Sequence, residues 1–144
     1  VVAAPDHPLA AQKNISLSRL AKEPFLVREK GSDTRQSMEE GFGAHMAGLN
    51  IAMEIKSTET IKQAVIAGMG LSFLSAHTIS RELEAGSLSV LDVTGFPLML
   101  HWYVVHRQNK RLTPVARAFK DYLMRDGGAL IEQTIGGQPK RLKR

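Results

Sequence analysis

Apolar residues follow two different periods along the first two-thirds of the chain. Short apolar or alternating runs predict strands at residues 1–4, 25–27, 51–55 and 71–74, with a further extended stretch from residue 90. Between these runs, apolar residues recur three or four positions apart, which is the spacing of one buried helix face. Strands that alternate with helices through short connections indicate an α/β fold with a largely parallel sheet.

The predicted helices begin at hydroxyl residues and bury one apolar face each. Ser16, Ser57 and Ser75 are predicted N-caps, because a serine hydroxyl can accept a hydrogen bond from the first turn of a helix. Spacing predicts four buried faces: Leu17, Leu20 and Ala21; Met38, Phe42, His45 and Met46; Ile61, Ala64 and Val65; Ile79 and Leu83, before a stop at Gly86. On this pattern we expect His45 to be packed in the core.

The last third of the chain contains one strand-like and one helical segment. Residues 98–105 concentrate β-branched and aromatic side chains and predict a strand. Thr113 as N-cap and Pro114 at the first helical position predict the start of a helix, and Gly127-Gly128 predicts its end. The apolar face of this helix is predicted to consist of Val115, Phe119, Tyr122 and Leu123.

Composition indicates a folded, soluble domain. Of 144 residues, 43% are hydrophobic and 23% charged, which suffices for a core and excludes disorder of the whole chain. No apolar run approaches the roughly 20 residues of a membrane-spanning helix, and no cysteine is present for disulfides or thiolate chemistry. Four of the 19 basic residues lie at 140–144, so the remainder carries 15 basic against 14 acidic residues; the net charge of +5 therefore indicates a basic tail.

The sequence carries no signature of a catalytic or metal site. The five histidines lack metal-ligand spacing, and His101 and His106 would point to opposite faces of a strand. The nearest approach to a nucleophile elbow, residues 70–74, lacks its second glycine, and Gly68 and Gly70 follow a helix instead of opening one. We therefore predict that the chain is not an enzyme and holds no metal or cofactor.

Two junctions between a strand and a helix carry the remaining chemistry. Residues 31–35, Gly-Ser-Asp-Thr-Arg, follow the strand that ends at Arg28, and residues 57–62, Ser-Thr-Glu-Thr-Ile-Lys, follow the next strand. Backbone N–H groups at a helix N-terminus favour anions, and nearby hydroxyl and cationic side chains add hydrogen bonds and charge. Each junction alone is compatible with an ordinary helix cap. Together, at the carboxyl ends of strands, they predict a cleft that binds an anion.

An ordered series of short motifs also runs through the chain. It consists of Pro5-Asp6-His7-Pro8-Leu9-Ala10, Leu20-Ala21, residues 23–26, Gly31-Ser32, residues 57–65 and 67–74, and residues 112–116 with Phe119. This succession, from residue 1 to about 125, resembles the effector-binding domain of LysR-type transcriptional regulators. Within that family, residues 27–29, 31–32, 34–35, 74–78 and 101–105 are most similar to the regulators of the RuBisCO (Calvin-cycle) operon.

The resemblance implies a periplasmic-binding-protein-like effector domain, in which two α/β subdomains joined by crossover strands hold the effector between them. It implies a crossover strand at 1–7, effector-binding subdomain II at 8–93, the return crossover and C-terminal part of subdomain I at 94–126, and a basic C-terminal tail at 127–144. A winged helix-turn-helix, a linker helix and the first half of subdomain I would lie outside this chain. An apolar surface at 98–106 and 113–125 would then be left to a partner chain, so we expect a homodimer, a homotetramer or a swapped assembly.

The resemblance also implies what the cleft binds. Carried over by position, the effector-binding residues are Arg28, Ser32, Thr34, Arg35, Ser57, Thr58, Glu59 and Thr60. The effector would be a small anionic metabolite of carbon fixation, such as ribulose bisphosphate, phosphoenolpyruvate or phosphoglycerate, or else NADPH or ATP. Binding would shift the population of lobe orientations and act on DNA through the domain outside this chain, in the cytoplasm and without membrane contact.

Two other function classes stay open at this point. A solute-binding lobe for an anionic small molecule would use the same kind of cleft, but the sequence shows no signal peptide, which disfavours it. An enzyme acting on phosphorylated substrates would need a base, metal or nucleophile arrangement that the sequence does not contain.

Overall fold

The computed structural model describes residues 1–109 and 111–135. By its internal contacts the chain divides into two compact units, Val1–Leu98 and Met99–Arg144. The first unit contains both predicted junctions, and the second contains the long C-terminal helix.

The first unit contains four short strands and four helices. The strands are β1 (Val2–Ala3), β2 (Phe25–Arg28), β3 (Ile51–Ile55) and β4 (Ser89–Val90), and the helices are α1 (Leu17–Leu20), α2 (Asp33–Phe42), α3 (Thr58–Ile66) and α4 (Ser80–Glu84). One 3₁₀ turn, Gly43–Gly48, directly follows α2, and another, Ala76–Thr78, precedes α4.

The strands lie side by side in a mixed arrangement. β2 and β3 are parallel, with Arg28 in register with Ile55, whereas β1 and β4 are antiparallel. Residues 71 and 72 connect the two pairs, because Leu71 bridges Phe25 in parallel and Ser72 bridges Val2 in antiparallel orientation. The strand predicted at 71–74 is thus reduced to two bridges, and the sheet is less parallel than the alternation of elements predicted.

β2 lies between two layers of helices. Its residues alternate between two apolar clusters: Phe25 and Val27 belong to a cluster with Met38 and Phe42 of α2. Leu26, on the opposite face, belongs to a cluster that includes Ile61 and Val65 of α3, with Ile79 and Leu88 from farther along the chain. A strand covered on both faces is consistent with the α/β class predicted from the sequence.

Two predictions about helix boundaries in this unit are wrong. α2 ends at Phe42, because Gly43 follows with a φ of +50°, and His45 therefore lies exposed on a 3₁₀ turn instead of in the core. Ser75 makes no capping hydrogen bond through its side chain, and the helix predicted to follow it is divided between a 3₁₀ turn and α4. By contrast Ser16 and Ser57 accept the predicted capping bonds, from the N–H groups of Arg19 and Thr60.

The second unit is dominated by α5, which spans Pro114–Ile135. Its predicted cap is confirmed, since Thr113 Oγ1 accepts a hydrogen bond of 3.2 Å from the N–H of Ala116. Its predicted end is wrong, because the helix continues through Gly127 and Gly128, neither of which has a positive φ.

The strand predicted at 98–105 is also wrong, because the described backbone there forms no strand. A strand needs a neighbouring strand to satisfy its N–H and C=O groups, and none pairs with this segment among the described residues. Trp102 and Val105 in this segment are 72% and 87% exposed. The basic cluster at 140–144 lies outside the described residues. None of the helices described here combines the length and apolar character needed to span a lipid bilayer.

Candidate functional site

The two predicted junctions lie next to each other in the structure. β2 and β3 are parallel neighbours, so α2 and α3 both begin at the same edge of the sheet, where the strands end. We call Arg28 and residues 31–35 and 57–60 together the junction site. Sequence predicted this placement because the carboxyl ends of neighbouring parallel strands share one edge.

Each helix of the junction site is capped by a serine. Ser32 Oγ accepts a hydrogen bond of 3.1 Å from the N–H of Arg35, and Ser57 Oγ accepts one of 3.2 Å from the N–H of Thr60. The N–H groups of Thr34 and Thr58, in the first turns, find no protein acceptor among the described residues. Two helix N-termini therefore present donor groups and partial positive charge at one edge of the sheet.

Arg28 links the end of β2 to the start of α3. Its Nη1 donates a hydrogen bond of 2.9 Å to Thr58 Oγ1, thirty residues away in the chain. Its Nε and Nη2 donate to the two carboxylate oxygens of Glu29, at 2.8 and 2.9 Å. Thr58 and Arg28, predicted separately as site residues, are thus in direct contact.

Charge near Arg28 is balanced locally. The hydrogen bonds from Arg28 hold the pKa of the Glu29 carboxyl below its ordinary value, and the positive charge of Lys56 contributes a smaller effect in the same direction. In turn, the bond to Glu29 raises the pKa of Arg28. The guanidinium and carboxylate are therefore both charged across the physiological pH range.

Arg35 lies in a different environment from Arg28. Its side chain is only 6% exposed; its Nε donates to Glu39 at 2.6 Å, and its Nη1 is 3.9 Å from Glu54 of β3. Nη1 also donates a hydrogen bond of 3.4 Å to the backbone carbonyl of Arg28. Arg35 thus supports the backbone of Arg28, and its positive charge is already compensated by the carboxylates of Glu39 and Glu54.

The other predicted residues of the junction site differ in their solvent exposure and in their contacts. Thr34 is half-buried in the first turn of α2, whereas Thr60 is exposed on α3. Glu59 is exposed and bound to its own helix, accepting hydrogen bonds from Lys62 at 2.7 Å and Gln63 at 2.9 Å. These bonds, with Lys62 the larger cause, lower the pKa of Glu59.

Sequence reasoning missed two charged residues of this region, Glu29 and Lys56. Each is adjacent in sequence to a predicted residue, Arg28 and Ser57, and that adjacency was the available signal. Lys62, which the sequence placed near the anion, instead binds Glu82 of α4 at 2.6 Å.

Outside the junction site, the described residues contain weaker candidates for a ligand or metal site. Within residues 1–109 and 111–135, no cluster of three or more His, Cys, Asp or Glu side chains could hold a metal ion. A shallow open depression at the start of α5 is lined by cationic side chains including Arg111 and Lys120. It lacks the converging helix N-termini and the buried contacts of the junction site, which is the better candidate.

Comparison with protein families gives one match that covers most of the chain. The family described as the LysR substrate binding domain matches residues 1–127. Among curated proteins, the chain is 47% identical over 130 residues to the RuBisCO operon transcriptional regulator of Allochromatium vinosum, covering 90% of this chain and 43% of that protein. It is also 47% identical over 143 residues to the HTH-type transcriptional regulator CbbR of Xanthobacter flavus, covering 98% of this chain and 43% of that protein.

A solved structure is similar in both sequence and fold. The regulatory domain of CcmR from Synechocystis PCC6803, in complex with 2-PG, superposes with a TM-score of 0.79 at 41% identity. The superposition covers 86% of this chain and 60% of that one. This chain therefore spans less than half the length of the two curated relatives and somewhat more than half of the solved regulatory domain.

Proposed function

This chain belongs to the LysR substrate-binding-domain family, and from that premise we propose that it is the effector-sensing part of a transcriptional regulator of carbon-fixation genes. The family resemblance and the periplasmic-binding-protein-like fold predicted from the sequence are confirmed. The relatives are transcriptional regulators and not enzymes, so neither the enzyme nor the solute-binding alternative is favoured.

The proposed effector is a small anionic, phosphorylated metabolite that binds at the junction site. The observation that carries this proposal is the hydrogen bond between Arg28 and Thr58, because it holds a guanidinium at the N-terminus of α3, at the sheet edge where α2 also begins. A planar guanidinium with converging N–H donors suits the several oxygens of a phosphate group. The complex of the CcmR regulatory domain with 2-PG supports the same chemistry.

The contacts suggest different roles for the proposed effector-binding residues. Arg28, Thr34, Thr58 and Thr60 would meet the effector with side-chain donors, and Ser32 and Ser57 would hold the first turns in place. Arg35 would act by supporting Arg28, and Glu59 would contact any uncharged hydroxyl groups of the effector at the rim. Ribulose bisphosphate, phosphoenolpyruvate, phosphoglycerate, NADPH and ATP remain the candidate effectors.

Signal transmission would follow from a population shift. An effector bound at the junction site would favour one arrangement of the regulator over another, to the extent of its differential affinity for the two. The relative from Xanthobacter flavus is named an HTH-type regulator, and we place DNA binding in a winged helix-turn-helix outside this chain. Such a regulator would act as a homo-oligomer in the cytoplasm, where the promoter is.

The proposal is tested by calorimetric titration of the full chain with 2-PG, phosphoenolpyruvate and ribulose bisphosphate. Thr58→Val keeps the shape of the side chain but removes the hydroxyl that accepts from Arg28, so affinity should fall about tenfold. Thr94→Val is the matched control, because Thr94 is exposed and makes no side-chain hydrogen bond among the described residues. It should leave affinity unchanged.

Two results would contradict the proposal. If none of the three compounds binds, the chain does not sense phosphorylated metabolites of this class. If one binds but Thr58→Val and Thr94→Val have equal affinity, the effector lies elsewhere in the molecule.

A further inference from the structure

The Arg28 side chain donates three hydrogen bonds to protein groups among the described residues. Glu29 takes two of them through both carboxylate oxygens, and Thr58 takes the third. The side chains of Arg28 and Glu29 are 19% and 28% exposed, so the pair is neither fully solvated nor sealed from a ligand. The fork of two parallel bonds is the geometry that guanidinium groups use for carboxylate and phosphate ligands.

We propose that Glu29 is an internal competitor for the effector. The Glu29 carboxylate binds the guanidinium of Arg28 in the structure, and the anionic group of the effector takes that place when it binds. The inference rests on the proposed function, since it assigns a regulatory role to a neighbour of the same site. It adds a residue that lies outside the predicted set.

The position of Glu29 supports this role. Glu29 directly follows Arg28 at the end of β2. Its carboxylate is bound to the guanidinium by two side-chain hydrogen bonds. The positive charge of Lys56, in the neighbouring junction, also favours the charged form of Glu29 and makes a small contribution to lowering its pKa. Thr58 would keep its bond to Arg28 and hold the guanidinium in place during the exchange.

The competition has a quantitative consequence. Displacing Glu29 costs the same free energy whichever anion replaces it, so removing its charge should raise the affinity for every such anion by one common factor. A simple through-space repulsion behaves differently, because it grows with the charge of the ligand. The two explanations can therefore be separated by comparing ligands of different charge.

The experiment compares Glu29→Gln with Glu40→Gln in the full chain. Both substitutions remove one negative charge, but Glu40 is exposed on α2 and bonds only Gln36 among the described residues. Calorimetry measures affinity for 2-PG, phosphoenolpyruvate and inorganic phosphate; phosphoenolpyruvate carries one carboxylate more than phosphate. We expect Glu29→Gln to bind each of them about fivefold more tightly than the unsubstituted chain, with gains that agree within about twofold. Glu40→Gln should change affinity by less than about twofold.

The outcomes are distinct. Unchanged affinity in Glu29→Gln, an equal gain in Glu40→Gln, or a clearly larger gain for phosphoenolpyruvate than for phosphate would each overturn the competition while leaving the proposed function intact. Failure of the unsubstituted chain and of both variants to bind any of the three compounds would overturn the proposed function and this inference with it.

Discussion

At the scale of single residues, backbone geometry and close packing decide which side chains the fold accepts. Gly70 has a φ of +151°, a conformation that residues with a Cβ rarely adopt. A Cβ at this position would also collide with the backbone carbonyl of Pro24. That carbonyl accepts the N–H of Leu71, so the neighbouring backbone cannot move away without losing a bridge of the sheet.

We predict that Gly70→Ala lowers the free energy of unfolding by about 2 kcal/mol or more, from backbone strain and the collision together. Gly48→Ala is the control, because Gly48 lies in a 3₁₀ turn without a positive φ, and no atom lies within 4 Å of the place its new methyl group would take. It should change stability by no more than about 0.5 kcal/mol. Urea unfolding followed by circular dichroism measures the stability of both variants. Equal stabilities of Gly70→Ala and Gly48→Ala would show that the backbone near Pro24 moves to accommodate the methyl group at little cost.

At the scale of elements, one ion pair connects α3 to α4. Lys62 of α3 and Glu82 of α4 lie 2.6 Å apart, with side chains 12% and 15% exposed, and Glu82 Oε2 has no hydrogen-bond partner among the described residues. Hydrogen bonds from Lys62 lower the pKa of Glu82. Hydrogen bonds to Glu59 and then Glu82 raise the pKa of Lys62. The pair therefore stabilises the fold where both groups are charged.

The pH dependence follows from these directions. A lowered pKa of Glu82 gives stability that is present above the unfolded value of about 4.3 and is lost as the pH falls through the folded value. A raised pKa of Lys62 gives stability that is present below about 10.4 and is lost as the pH rises through the folded value. The contribution should be complete between roughly pH 5 and pH 10.

Lys62→Met should therefore cost about 1–2 kcal/mol at pH 7, between the values of exposed and fully buried pairs, because it leaves the Glu82 carboxylate without its cation. The cost should shrink as the pH falls below about 4. Lys22→Met, at an exposed lysine without an ion pair among the described residues, should change little at any pH. Thermal unfolding at several pH values measures both; a cost of Lys62→Met that does not vary with pH would refute the electrostatic explanation.

A second element-scale prediction concerns the two glycines inside α5. Gly127 and Gly128 lie in the helix with nothing near a Cβ, so Gly→Ala at both should stabilise it by about 0.5–1 kcal/mol each. Gly86→Ala is the contrasting control, since Gly86 has a φ of +66° and should lose stability. Helical circular dichroism during heating tests this, and a fall in helicity for the α5 variant would contradict the continuous helix.

At the scale of the whole molecule, several large apolar side chains of the second unit are exposed. Val115 and Phe119 of α5 are 79% and 61% exposed, and Trp102 and Tyr103 are 72% and 80% exposed. Exposed large apolar side chains, when they form a patch, are typical of protein interfaces. This agrees with the sequence-based expectation of a dimer or a swapped assembly, which stays a prediction.

We predict that the chain associates with itself as its concentration rises, measured by light scattering. Phe119→Glu should weaken this association by about tenfold or more, because it places a charge on the apolar face of α5. Ala118→Glu adds the same charge at the neighbouring exposed position and should have a much smaller effect. A monodisperse monomer at high concentration would contradict the prediction for the unsubstituted chain.

Four helix caps and the sheet edge of the candidate site follow from the sequence alone. Caps at Ser16, Ser32, Ser57 and Thr113 arise from the hydrogen-bonding needs of the first helical turn, which depend on a few adjacent residues. Two parallel strands, each followed by a helix, then place both N-termini at one edge. The ordered motifs identified the family for the same reason, because each motif reports a local structural requirement.

Which of these groups meet depends on the tertiary packing. The bond from Arg28 to Thr58 joins residues thirty positions apart. The burial of Arg35 near Glu39 and Glu54 depends on how α2 packs against β2, because Glu54 lies on the neighbouring strand β3. The apolar spacing that predicted a core His45 was overridden by a local glycine turn, and the residue types that predicted a strand at 98–105 were overridden by the lack of a neighbouring strand among the described residues. Contacts between distant segments carry free energy that no local pattern encodes, so the partners of Arg28 became visible only in the folded chain.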